Sequence, residues 1–196
     1  MPDGEELLAA LRLGDADAFS VLVDRHHRRL LGLAQSVVTR RELAEEVVQE
    51  TWLAVIRGLD GFEARSSLQT WIYRICLNRA RTAMGKEYRT ALFDAQDSDV
   101  ESTWFTPNGA WATPVEPWPD AADARLDAAA LLPRLREAIS QLPEAQRLVV
   151  TLRDVEGLSC SEVCDVLSIS EANERVLLHR GRNRLRSVLN QCLKGE

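Results

Sequence analysis

No stretch of the chain offers the roughly 18 consecutive apolar residues that a membrane-crossing helix needs, so no part of it is expected to span a bilayer. The opening MPDGEELLAALRLGDADAF is acidic and lacks the basic start and apolar core of an export signal. Together these absences point to a cytoplasmic protein. Cysteine is scarce, four in 196 residues. Cys160 and Cys164 stand four apart in a helical stretch, a spacing open to two metal ligands or a redox pair. No matching Cys/His pair lies near them, and His26 and His27 are far away. With Cys76 and Cys192 they are read as small buried residues in a reducing compartment. There is no Ser/His/Asp arrangement, no phosphate-cradling glycine loop and no complete zinc spacing. An enzyme or metal-redox switch is therefore the weakest reading, and neither a cofactor nor a metal is expected. A general cationic coat for DNA is also missing. Lys and Arg number 24 against 30 Asp and Glu, a net charge of −6, whereas nonspecific binding rests on cations that neutralise phosphates.

The charge that is present is unevenly placed, and its distribution carries more information than its sum. Acid gathers in the N-terminus, in one helix near residue 46 and in the middle of the chain. Base gathers at the C-terminus. Hydrophobic residues make up 45% of the chain, enough for a packed core, and the length suits one large domain or two small ones. The periodicity throughout is helical. The expected fold is all-α, with an N-terminal helical bundle over 5–86, an acidic linker over 87–127 and a C-terminal helix-turn-helix block over 128–194.

In the N-terminal block, residues 5 to 13 form a short helical segment with Leu7, Leu8, Leu11 and Leu13. Asp17 is expected to cap a helix from Ala18 to about Val38. Its basic cluster Arg25-His26-His27-Arg28-Arg29 reads as a solvated face. The next helix carries an apolar stripe of Leu43, Val47, Val48, Trp52, Val55, Ile56 and Leu59. Its other face presents acceptors: Glu45, Glu46, Gln49 and Glu50. Gly58, Asp60 and Gly61 close it. A polar loop, Phe62 to Thr70, leads into a helix from Trp71 to about Met84. There Trp71, Ile75 and Asn78 fall near one another, surrounded by Arg74, Arg79 and Arg81. An aromatic, an amide and guanidinium groups beside a polar loop suit single-stranded nucleic acid, with bases stacking on the ring and phosphates held by Arg. The same pattern also fits a core Trp under a solvated face.

From Glu87 to Asp127 the periodicity is lost. Prolines and Asn108-Gly109 break the chain, and acidic residues dominate. Trp104, Trp111 and Trp118 recur every seven residues, but the prolines forbid a continuous helix. The expectation is an ordered ribbon that packs its indoles on a neighbour.

Periodicity returns at Ala128. Leu131, Leu132, Leu135, Ala138, Ile139 and Leu142 mark one helix, and Leu148, Val149 and Leu152 the next. Ser159 with Glu162 makes a capping box for a short helix with Val163, Val166 and Leu167 inward. The turn Ser168-Ile169-Ser170 follows, and Ser170 caps a longer helix from Glu171 to about Leu193. A short helix, a tight turn and a longer basic helix make the helix-turn-helix plan. Ala172, Asn173, Glu174 and Arg175 are expected to face base edges, with later arginines on phosphates. Gly181, inside this helix, costs about 1 kcal/mol relative to Ala.

Two passages carry a family resemblance. ELAEEVVQETWLAVIRGLDGF followed by SSLQTWIYRICLNRAR resembles the second conserved domain of extracytoplasmic-function (ECF) sigma factors. LPEAQRLVVTLRDVEGLSCSEVCDVLSIS with RVLLHRGRNRLR is similar to the fourth. The third domain of larger sigma factors is absent. The resemblance implies that the acid-faced helix docks on core RNA polymerase through Leu43, Glu46, Val47, Gln49 and Glu50. It implies that Ser66, Ser67, Gln69, Thr70, Trp71, Arg74, Asn78 and Arg81 melt and read the −10 promoter element. It assigns −35 reading to Ala172, Asn173, Glu174, Arg175, His179, Arg180 and Arg182. It sends the linker through the polymerase toward the active-site cleft, and it implies an anti-sigma partner. Where the family pattern reads Gly-Thr-Val-Lys-Ser-Arg, this chain has Ala172-Asn173-Glu174-Arg175-Val176-Leu177, so the −35 sequence itself does not carry over. The competing reading is a free-standing helix-turn-helix regulator whose N-terminal block serves dimerisation or effector binding.

Overall fold

A computed structural model describes residues 4–85 and 128–194. Among these every regular element is helical. The linker 87–127, with Trp104, Trp111 and Trp118, lies outside the described residues, as does the expectation of an ordered ribbon there. The N-terminal block consists of α1 (Gly4–Arg12), α2 (Ala16–Gln35), α3 (Arg41–Gly58) and α4 (Leu68–Ala83). The C-terminal block consists of α5 (Ala128–Ser140), α6 (Glu144–Val150) running on into a π-helical turn (Thr151–Val155), α7 (Cys160–Leu167) and α8 (Glu171–Lys194).

α2 begins two residues earlier than the cap pattern suggests. Asp15, not Asp17, is the cap: its Oδ1 accepts from the Asp17 and Ala18 amides at 2.8 and 3.1 Å. Asp17 falls in the first turn, where its charge meets the positive end of the helix. Leu13, expected on the apolar side of α1, lies beyond the helix end and is exposed. His26 corrects the reading of the basic cluster as a solvated face. It is one turn from Leu22 and one turn from Leu30, so the buried stripe of α2 runs through it. The other four members of the cluster are exposed.

α3 buries Ala44, Val47, Val48, Thr51, Trp52 and Val55. The Thr51 hydroxyl returns a hydrogen bond to the Val47 carbonyl at 2.7 Å, which lets a polar side chain sit fully buried. Ile56, expected in the stripe, instead lines a shallow pocket of about 230 Å³ with Leu11, Phe19 and Leu59 and is largely exposed. α4 starts at Leu68 with Ser67 as its cap, one turn before the expected Trp71.

In the C-terminal block Leu148, Val149 and Leu152 are buried as their spacing implies, whereas Leu132 faces solvent. α6 and α8 cross at Gly181, where a Cβ would come within 2.6 Å of Val150 Cγ2. The glycine permits that approach. The capping box on α7 is present in full. Ser168 takes a left-handed conformation, φ 58°, to make the turn into α8. Cys76 is buried, and desolvation pushes its thiol up to about 12. Cys160 and Cys164 are half-buried rather than buried. Burial raises both thiols, Cys164 to about 12.

Candidate nucleic-acid interface

The residues expected to meet polymerase or promoter fall on three surfaces. On the first, the amphipathic pitch of α3 turns Glu46, Gln49 and Glu50 outward beside a buried Val47 and a half-buried Leu43. Between α3 and α4 runs a groove of about 690 Å³. Leu43, Glu46, Val47 and Glu50 line it from one side, and Ile75, Asn78 and Arg79 from the other. Asn78, expected with the −10 set, thus shares a groove with the docking set. Arg79 crosses the groove to Glu50 at 2.9 Å, a contact that sequence spacing did not reveal.

The second surface is the loop before α4 and its first turns. Ser67 Oγ accepts from the Thr70 amide at 3.1 Å and thereby fixes where the helix starts. Trp71 is half-buried. Its ring stacks on Phe62, centroids 4.9 Å apart and tilted by 38°. It also lies over Gly58, where a Cβ would be 3.1 Å from Cζ2. The loop is further held by the Arg12 guanidinium, which donates to the Phe62 carbonyl at 2.5 Å. Arg74 is exposed, Ser67 is exposed, and Ser66 and Gln69 are half-open. Thr70 and Arg81 differ from expectation, since both are buried. Thr70 meets the C-terminal block, and Arg81 lies close enough to Glu144 of α6 to act on its charge.

The third surface is α8. Ser170 Oγ accepts from the Asn173 amide at 3.2 Å, so the helix begins where the cap pattern places it. Ala172, Arg175 and Arg182 are exposed, and His179 and Arg180 are half-buried. Asn173 and Glu174 are corrected: both are buried, so neither side chain faces outward to read a base edge. The spacing explains this, because Asn173 and Glu174 precede the inward Val176 and Leu177 by three residues each. Arg175 pairs with Glu171 one turn back at 3.1 Å. Arg182 forms a two-pronged contact with Asp154, 3.0 Å from Nε and 2.5 Å from Nη2. A cleft of about 610 Å³ runs along this face, floored by leucines including Leu178 and Leu185 and rimmed by Arg175, Arg182 and Arg186. His179 sits in its wall, and burial lowers its pKa. A cationic rim over exposed helix is chemically suited to phosphate oxygens.

The comparisons agree with this arrangement. Residues 22–90 match Sigma-70 region 2, and residues 132–185 match Sigma-70, region 4. The chain is 30% identical over 192 residues to the RNA polymerase sigma-H factor of Pseudomonas aeruginosa, covering 97% of this chain and 95% of that one. It is 27% identical over 180 residues to the ECF RNA polymerase sigma factor SigW of Bacillus subtilis, 91% and 92% covered. Among solved structures it is similar to the sigma factor RpoE of Bartonella quintana, crystallised with the anti-sigma factor NepR. The TM-score is 0.58 at 22% identity, with 88% and 96% of the two chains covered. With an all-helical fold, a helix-turn-helix closing the chain and near-complete coverage of these relatives, the chain belongs to the extracytoplasmic-function sigma factors of the sigma-70 family.

Proposed function

We propose that this sigma factor binds core RNA polymerase and directs transcription initiation at a dedicated set of promoters, under the control of an anti-sigma factor. The observation that carries the reading is one chain holding two different surfaces. α3 presents an acceptor-lined groove, and α8 presents an exposed arginine rim directly after a tight turn. In this reading residues 5–86 dock on polymerase and open the −10 element, residues 87–127 connect, and residues 128–194 hold the −35 element. Leu43, Glu46, Val47, Gln49 and Glu50 contact the polymerase. Ser66, Ser67, Gln69, Trp71, Arg74 and Asn78 face the melted strand, with Trp71 supplying a stacking surface. Arg175, His179, Arg180 and Arg182 grip the duplex. The protein performs no catalysis of its own and acts in the cytoplasm, where the polymerase is. Among the described residues no helix is long and apolar enough to cross a membrane. The Bartonella relative was captured with an anti-sigma factor, which supports a partner of that kind here.

The test is transcription from a promoter library by purified core polymerase with and without the protein, beside gel shifts of duplex DNA with and without core. Initiation at a discrete promoter set, with tight DNA binding only alongside core, is the expected result. Tight duplex binding by the protein alone, with no effect on core, would favour a free-standing regulator.

A further inference from the structure

The two blocks touch, and they touch at the start of α4. Glu162 of α7 uses both of its oxygens. Oε2 accepts from the Ser159 amide and hydroxyl, each at 2.9 Å, and so completes the capping box. Oε1 reaches the other block, accepting from Ser67 Oγ at 3.0 Å and Thr70 Oγ1 at 2.9 Å. One turn on, the Tyr73 hydroxyl donates to Glu156 at 2.6 Å, and Arg29 of α2 lies 3.7 Å from the same oxygen. On the far side Arg147 of α6 donates to the Ser36 carbonyl twice, at 2.6 and 3.1 Å. Thr70 and Tyr73 are fully buried as a result.

We propose that this contact is an intramolecular clamp: the carboxylates of Glu156 and Glu162 occupy the hydroxyl donors at the start of α4 and compete with single-stranded nucleic acid for that surface. The inference rests on the reading of α4 as the strand-facing helix. Carboxylate oxygens offer hydroxyls the same anionic acceptor that phosphate and base edges offer. A chain that engages two separated promoter elements must part these blocks, so each contact made in the closed form weakens the open one by population shift. The clamp is polar rather than greasy in its named contacts, which suits a contact that opens reversibly.

The experiment uses the full chain carrying Glu156→Gln, Glu162→Gln, or both. Gln preserves the capping box at Glu162, so α7 keeps its start. A control, Glu137→Gln with Asp165→Asn, removes the same charge from exposed positions of the same block. Two quantities are read: amide hydrogen exchange over residues 67–77, and anisotropy of a fluorescein-labelled random-sequence single-stranded DNA 20-mer at low salt. The double variant should exchange about tenfold faster in that segment and bind the oligonucleotide about three- to tenfold more tightly than the parent or the control. Unchanged exchange overturns the clamp. Faster exchange without tighter binding also overturns it, because the contact is then structural and does not compete. Equal tightening in the control reduces the effect to net charge and overturns it as well. Failure of the functional reading has a separate signature: the parent starts no transcription with core polymerase, whatever the exchange rates show.

Discussion

Glu174 Oε1 lies 3.0 Å from Arg153 Nε inside the C-terminal block, with 1% of the Glu174 side chain exposed. The two atoms are close but off the N–H line, so this is an ion pair and not an aligned hydrogen bond. The Cys160 thiol sits 3.4 Å from the other carboxylate oxygen, and Arg153 Nη1 donates to the Leu158 carbonyl at 2.7 Å. The pair ties the start of α8 to the turn after α6. Removing one partner strands the other charge. Arg153→Ala should therefore destabilise the chain toward the lower end of about 3–5 kcal/mol, since Arg153 remains partly exposed. The double change Arg153→Leu with Glu174→Val should recover most of that loss in urea unfolding followed by circular dichroism.

Gly181→Ala would raise helix propensity by about 1 kcal/mol if α8 stood alone. The crossing with α6 reverses the sign. The added methyl would meet the buried Val150 at 2.6 Å, and overpacking of this kind costs about 1–3 kcal/mol. A lower melting temperature is expected, with partial recovery when Val150→Ala makes room.

His26 gives the N-terminal block an acid-sensitive element. Burial, then the charges of Arg25 and Arg29, lower its pKa from 6.5 to about 4. Its Nδ1 is buried without a hydrogen-bond partner among the described residues, and its ring meets the Tyr73 ring edge-on at 6.3 Å. The folded chain holds the neutral ring, so the unfolded chain takes up the proton first. Stability from this group is whole above about pH 6.5 and is lost as pH falls toward 4. In urea midpoints measured across that window, His26→Leu should flatten the slope relative to the parent.

Charge reversal separates docking from reading. Glu46→Lys should weaken core polymerase binding in a labelled-protein titration. It is the cleaner change, because Glu50 also holds Arg79 across the groove. Trp71→Ala and Asn78→Ala should leave that affinity near the parent value and impair promoter opening in permanganate footprints. The proximity of Asn78 to the acceptor groove makes its core affinity the sharper check of the two.

Arg175→Ala should weaken −35 recognition by about 1–3 kcal/mol if the guanidinium contacts a base, and relax the preference at that position. Its exposed place and its salt link to Glu171 leave it free to exchange one anion for another. Competition binding of holoenzyme to promoter variants reads both quantities.

Local signals in this chain were trustworthy wherever the cause was local. The capping box of Ser159 and Glu162, the Ser170 cap and the inward Leu148, Val149 and Leu152 depend on neighbours within a turn or two, and each stands as spaced. Helix starts were less legible where two candidate caps lay close together, as Asp15 and Asp17 do.

From the residues by themselves came the all-helical class, the two blocks, the helix-turn-helix and the family. Each is written in short-range periodicity and in motifs that survive in one dimension. The fold in space settled which face of each helix is covered. It buried His26, Asn173, Glu174 and Arg81, left Ile56 and Leu132 outside, and gave Glu162 a second task 92 residues away. Burial depends on what packs across the chain, and helical spacing names a face without naming its neighbour.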